Sequence, residues 1–380
     1  MNGASSVVVR SDLGDTAYFL GEPAEVIRGG AEEWSRLEAW LERHRRPACD
    51  SPHPPGLAFG RFTYEGDYEF HLHPTYRIGS TDELWMETGG RGGTVDWRES
   101  VPEDEYVRMV RRAQEEIRAG NIYQVNLARS YRCHDAQPDP DLLFRCLWRV
   151  TAAPMAALFR GTDEVLVSAS PELFLQIQEG RILTRPIKGT RPRDADPLRD
   201  QQMAFELGTD PKEIAELVMI TDLLRNDLGR VCAYGTVEVT DLVRREAFSH
   251  VHHAYSTIVG ELRAGIGAVE AVRACYPGGS ITGAPKGWAM KVIRELEPEP
   301  RGAYTGAMGY FGLDGSARLA VTIRTFVGRD DSWRFHVGSG ITAGSDPARE
   351  FAETCHKAEA LMQAFQAYQD VRSLPVESPL

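Results

Sequence analysis

The sequence predicts an α+β fold in which large antiparallel β-sheets pack between α-helices. Three observations predict it. Helical and extended patterns are mixed along the chain, without the regular strand-helix-strand alternation of a doubly wound parallel sheet. The last third carries three extended runs, Tyr304 to Phe311, Ala317 to Phe326 and Trp333 to Gly340, joined by the turn sequences L-D-G-S and G-R-D-D-S. Connections that short make neighbouring strands antiparallel. Long amphipathic segments elsewhere supply helices to cover such sheets.

In chain order, residues 1 to about 100 form a strand-rich region expected to be interwoven with the main body. Its extended runs are Val7 to Val9, Leu57 to Tyr64 and Tyr68 to His73, and its one helix, from about Glu32 to Arg45, has Trp34, Leu37, Trp40 and Leu41 at helical spacing. The Gly-rich break Gly89 to Gly93 is a candidate boundary. The main body, 101–370, opens with an amphipathic helix from Pro102 to Arg118, whose apolar side is Tyr106, Met109, Val110, Ala113 and Ile117 and which Gly120 is placed to end. Ile122 to Leu127 alternates, so Gln124 and Asn126 share a face, as in a wet pocket or on an exposed sheet. Extended runs follow at Met155 to Phe159, Glu164 to Ala169 and Arg181 to Ile187. Helices are expected at about Pro211 to Asn226 and Pro347 to Tyr368, and the tail 371–380 is expected to be disordered.

The chain has 380 residues and a formal net charge of -12, which argues against a nucleic-acid binder, because neutralising phosphate needs a basic surface. No apolar run is long enough to span a bilayer, and a cytoplasmic protein is the expectation. The six cysteines are scattered, with no zinc-type spacing, and are expected to be reduced.

Only five of the 43 basic residues are lysine. One of them, Lys188, sits between a proline and a glycine in T-R-P-I-K-G-T-R-P-R. Unlike arginine, a desolvated lysine can lose its proton and act as a nucleophile or base. A solvated turn lysine is the plain alternative. Two helices each carry glutamates three residues apart, Glu213 with Glu216 and Glu350 with Glu353. Hard carboxylate oxygens without nearby His or Cys suit Mg2+, although E-x-x-E is also common on solvated helices. The loop G-G-S-I-T-G-A-P-K fails the spacing of a phosphate loop but can hold a carboxylate at a helix N-terminus, or be a plain turn. Arg324, on a strand expected at the centre of the meander, needs an anionic partner, either a ligand carboxylate or an internal Asp or Glu. Tyr310, Gly338 and Gly340 lie on the adjoining strands. Glu172, after a strand and a turn proline, is placed as a general acid would be.

Together these segments resemble the chorismate-utilising enzymes, and within them the aminodeoxychorismate synthase component I branch. The resemblance rests on I-Y-Q-V-N-L at Ile122, S-P-E-L-F at Ser170, R-P-I-K-G-T-R-P-R at Arg185 and the D-P-K-E-I-A-E-L segment at Asp210. It continues through G-S-I-T-G-A-P-K at Gly279, G-A-M-G-Y-F at Gly306, A-V-T-I-R-T at Ala320 and G-S-D-P-A-R-E-F-A-E-T at Gly344, and covers about residues 102 to 365. It implies an anthranilate synthase-like fold and a chorismate-binding catalytic domain at 101–370. Lysine before Gly-Thr marks the para-aminobenzoate branch, where related anthranilate synthases usually carry alanine. The resemblance further implies that Lys188 adds to the ring while Glu172 protonates the departing hydroxyl, and that ammonia then displaces the lysine to give 4-amino-4-deoxychorismate. Glu213 and Glu350 would ligate Mg2+ directly, with Glu216 and Glu353 in support. Tyr310, Arg324 and the amides near Gly338 and Gly340 would hold the enolpyruvyl carboxylate. Thr190, Thr282 and Gly283 would close the site, and His253 would stand near the reacting carbons with its role open. Ammonia would come from a separate glutamine amidotransferase subunit. Anthranilate- or isochorismate-forming activity, and a noncatalytic binding partner, are the other readings.

Overall fold

The computed structural model describes residues 6–84, 95–134, 138–151, 153–247 and 251–372. The Gly-rich break expected at 89–93 and most of the tail lie outside them. Among the described residues, two antiparallel sheets of ten strands each face one another. The first sheet runs, by strand, Gly283–Ala284, Gln124–His134, Ser332–Ile341, Thr325–Arg329, Val165–Ser170, Met155–Arg160, Ser6–Arg10, Thr16–Leu20 and Arg77–Ser80; Arg98–Glu99 also pairs with Gln124–His134, as Glu238–Ala247 does with Val251–Glu261 in the second sheet. The second runs Ile187–Pro192, Val251–Glu261, Arg181–Arg185, Leu173–Gln178, Ala317–Val321, Ala307–Gly312, Leu57–Phe62, Tyr68–His73 and Glu25–Gly29. The first eighty residues thus contribute three strands to each sheet.

Period-2 alternation decides what each sheet buries. Val8, Tyr18, Phe159 and Leu166 of the first sheet meet Leu57, Phe59, Met308 and Tyr310 of the second. The outward face of the first sheet, including Phe19, Leu158, Val167 and Phe335, is covered by the helices Pro140–Thr151 and Pro347–Arg372. The outward face of the second, including Phe62, Phe70 and Leu319, is covered by Trp34–Arg43, Pro211–Gly229 and Ala268–Cys275. The helix Glu103–Arg118 begins after Pro102 with three acidic residues in its first turn, which suits the positive end of the helix dipole. Its Tyr106, Met109, Val110 and Ala113 pack with the helix Lys286–Leu296 beside the Gln124–His134 strand.

The expected three-stranded meander is two hairpins in two different sheets. Ala307–Gly312 pairs with Ala317–Val321 in the second sheet, whereas Thr325–Arg329 pairs with Ser332–Ile341 in the first. The run Ala317 to Phe326 therefore breaks at Thr322 to Arg324, and Arg324 takes φ 50°, a strained conformation for a residue with a side chain. The helices Pro140–Thr151 and Pro197–Thr209 and the long strand Glu238–Ala247 were not expected. His253 sits within the strand Val251–Glu261. No helix among the described residues is long and apolar enough to cross a membrane.

Candidate active site

Two chain segments switch sheets side by side. Val165–Ser170 leaves the first sheet and re-forms as Leu173–Gln178 in the second, and Ala317–Val321 makes the opposite passage into Thr325–Arg329. The crossings are tied together: Val321 N–H donates to Glu172 O (3.0 Å), Ala169 N–H to Arg324 O (3.1 Å) and Ser170 Oγ to Val321 O (2.6 Å). Glu172 and Arg324 are thereby fixed at the point where the sheets part.

Glu172 is 6% exposed. Burial pushes its carboxyl up to about 7, against the lowering pull of a hydrogen bond from Ser280 and the charge of Lys188. Near neutral pH it can carry a proton to donate. Arg324 is partly buried, and desolvation holds its guanidinium below the ordinary value. The internal carboxylate that a buried arginine would need does not face it: none of the ion pairs among the described residues involves Arg324. A guanidinium fork with no internal anion has the geometry to accept a carboxylate.

Lys188 lies on Ile187–Pro192, opposite Ala254, and the register slips at Gly189, whose φ is 79°. A Cβ on Gly189 would come within 2.6 Å of Leu207 Cδ1 and 3.0 Å of Glu213 Oε2, so glycine lets the carboxylate-bearing helix approach this strand. From the first sheet, Gly340 and Gln124 stand opposite: a Cβ at Gly340 would be 2.5 Å from Gln124 Nε2 and 3.8 Å from Lys188 Nζ. Buried Oε1 of Gln124, Oδ1 of Asn126 and Oγ1 of Thr322 have no hydrogen-bond partner. Buried acceptors of this kind are satisfied by water or a polar ligand where one can reach them.

The two glutamate-bearing helices converge here. Asp210 caps the helix Pro211–Gly229 by accepting from Lys212 N–H (2.9 Å) and Glu213 N–H (3.2 Å). Glu213 pairs with Arg191 at 3.4 Å and Glu353 with Lys357 at 2.7 Å. Burial, partly offset by Lys188 and Lys212, and the charges of Glu213 and Glu350 raise the Glu216 carboxyl. Lys212 Nζ stands 4.0 Å from Glu216 Oε1 and 3.8 Å from Glu350 Oε1. Among the described residues no three His, Cys, Asp or Glu side chains close on one point. The donor chemistry nevertheless suits a hard cation: glutamates alone, from two helices, with an ammonium between two of them.

His253 is buried and held down to about 4 by desolvation and the neighbouring Arg324, so it is neutral at physiological pH. Thr282 is fully buried, and its hydroxyl donates to Gly278 O at 2.9 Å. Gly283, at φ 139°, pairs with Val125, and a Cβ there would lie 2.2 Å from Gln124 O. The backbone of Thr190 lies opposite His253.

Tyr310 is not with these residues. Its side chain faces the layer between the sheets, where its hydroxyl accepts from Arg10 and its ring lies 6.0 Å from that of Tyr18. The tyrosine beside Gly338 is Tyr304, whose Oη would be 3.0 Å from a Cβ there, with Asn126 Oδ1 at 2.9 Å. Strand alternation placed Tyr310 and Arg324 on one continuous meander, and the sheet switch separates them. Ser280, Lys212 and Lys357 were also missed, since only the fold brings them to Glu172, Glu350 and Gly338. Arg301, buried behind Tyr304, donates to Ile281 O (2.9 Å) and Asn126 O (2.7 Å) and fixes this wall.

The sequence model of the chorismate binding enzyme family matches residues 86–363. Anthranilate synthase component 1 of Streptomyces coelicolor is 44% identical over 273 residues, 72% of this chain and 53% of that protein. Aminodeoxychorismate synthase component 1 of Klebsiella aerogenes is 41% identical over 278 residues, 72% of this chain and 60% of that protein. The chain thus spans little more than half the length of these curated relatives. Among solved structures, anthranilate synthase component I from Streptococcus pneumoniae superposes with a TM-score of 0.81 at 24% identity, covering 92% of each chain. The menaquinone-specific isochorismate synthase from Escherichia coli does so with 0.76 at 18%, covering 94% of this chain and 88% of that one.

Proposed function

The chain belongs to the chorismate-binding enzyme family, and from that premise we propose that it converts chorismate and ammonia to 4-amino-4-deoxychorismate with Lys188 as a transient nucleophile. The observation that carries this reading is the position of Lys188, close enough to a buried Glu172 and to Glu216 for its charge to act on both. The free amine adds to the ring, the diene electrons shift, and the ring hydroxyl takes the Glu172 proton and leaves as water. Ammonia then adds at the carbon that lost the hydroxyl, the bond to Lys188 breaks, and the product ammonium returns a proton to Glu172. Arg324 and Tyr304 are suited to hold the enolpyruvyl carboxylate, and neutral His253 to face the ring without adding charge. Glu213 and Glu350, supported by Glu216 and Glu353, would hold Mg2+, which would neutralise the ring carboxylate. Relatives named component 1 support a partner protein as ammonia source, a glutamine amidotransferase in this reading.

The test is incubation with chorismate, Mg2+ and ammonium ion, followed by product identification by mass and ultraviolet spectrum. 4-Amino-4-deoxychorismate is expected. Anthranilate is the product of the second reading, favoured by the anthranilate synthase name of the 44% identical relative. Lys188→Ala is expected to lower kcat by about 100-fold or more with the fold intact by circular dichroism. An unchanged kcat would remove lysine addition from the mechanism.

A further inference from the structure

Lys212 is the second residue of the helix Pro211–Gly229, and its side chain is 58% exposed. Its distances of 4.0 Å to Glu216 and 3.8 Å to Glu350 are ion-pair separations too long for hydrogen bonds. One ammonium thus serves two carboxylates on different helices without being bonded to either. Those carboxylates are far less exposed than it is, at 15% and 5% of the side chain. Glu213 and Glu353 each have a cation of their own, Arg191 and Lys357. Lys188 adds charge near Glu216, but between Glu216 and Glu350 stands a side chain free to swing into water.

We propose that Lys212 is a built-in stand-in for the divalent cation. Its ammonium holds the space between Glu216 and Glu350 in the metal-free protein, and Mg2+ enters by displacing it. This rests on the metal reading given above. Two buried carboxylates without a cation would drive the helix starts apart, so the lysine keeps the site assembled before the ion arrives, at a cost in ion affinity. A half-exposed ammonium suits that role because leaving costs it little solvation.

The test is calorimetric titration of the whole chain with Mg2+, together with thermal unfolding in chelator and in saturating Mg2+, for the wild type, Lys212→Gln and the control Lys291→Gln. Lys291 is an exposed lysine 3.9 Å from Glu295 on another helix. Lys212→Gln is expected to bind Mg2+ about tenfold more tightly, because the ion no longer competes with an ammonium. It should also unfold at a lower temperature than wild type in chelator, with the gap closing in saturating Mg2+. Lys291→Gln should leave the affinity unchanged. Equal or weaker Mg2+ binding by Lys212→Gln would overturn the displacement alone. Failure of the wild type to bind Mg2+ would overturn the metal reading and the displacement together.

Discussion

At the scale of single residues, Glu172 illustrates how burial makes a reagent. Its carboxyl, raised to about 7 chiefly by desolvation, is protonated in the fold and ionised in the unfolded chain between about pH 4.5 and 7. In that window the folded state binds more protons, so the Glu172 contribution is fully present below 4.5 and is lost as pH rises to 7. Glu172→Gln keeps the shape without the titration. Urea unfolding at pH 5 and pH 8 should show the wild type losing up to about 3 kcal/mol relative to the variant. Parallel pH dependences would contradict the buried acid. The motif S-P-E-L-F made Glu172 a candidate, but Ser280, which donates to it, lies 108 positions away in sequence, and only the fold joins them. Tyr304 and Tyr310 show the same limit: both precede or occupy one strand, and their local sequences give no measure of which side the sheet switch leaves facing Gly338.

At the scale of elements, the helix Pro211–Gly229 was legible as a helix expected from about Pro211 to Asn226, and the structure adds its cap, Asp210 before Pro211. The cap also aims the first turn, and so Glu213, at the strand of Lys188. Asp210→Ala should lower the unfolding free energy by about 1 kcal/mol, read as a lower urea midpoint at unchanged m. A midpoint equal to wild type would show that the Asp210 carboxylate does not stabilise the helix start. The broken meander was not legible. A period-2 pattern says that a run is extended, and Ala317 to Phe326 is extended on both sides of its break, but the pattern carries no information on which sheet each half joins. The conformation of Arg324 follows from that passage.

At the scale of the whole molecule, burial between layers depresses several histidines at once. His73 and His253 are held down to about 4 and His336 to about 3, mainly by desolvation. Below pH 6.5 the unfolded chain takes up protons that the fold refuses, so their contribution is lost as pH falls, by on the order of 2 kcal/mol per histidine at pH 5. The carboxyls that burial raises, Glu172, Glu216 and Asp227 among them, oppose this in part, and the thermal midpoint is expected to fall between pH 7 and pH 5. A midpoint that rises on acidification would show these imidazoles to be protonated in the fold. The sequence by itself determined the α+β class, the principal helices, the extended runs and the resemblance that places the chain among chorismate-binding enzymes, because periodicity, capping and motif residues are local properties written in consecutive positions. The tertiary structure alone decided that two strands exchange sheets, that Arg324 makes no ion pair among the described residues, that Tyr304 replaces Tyr310 beside Gly338, and that Lys212 stands between glutamates of two helices. Those facts depend on contacts between segments far apart in sequence, where burial and long-range pairing, rather than local propensity, set which groups meet.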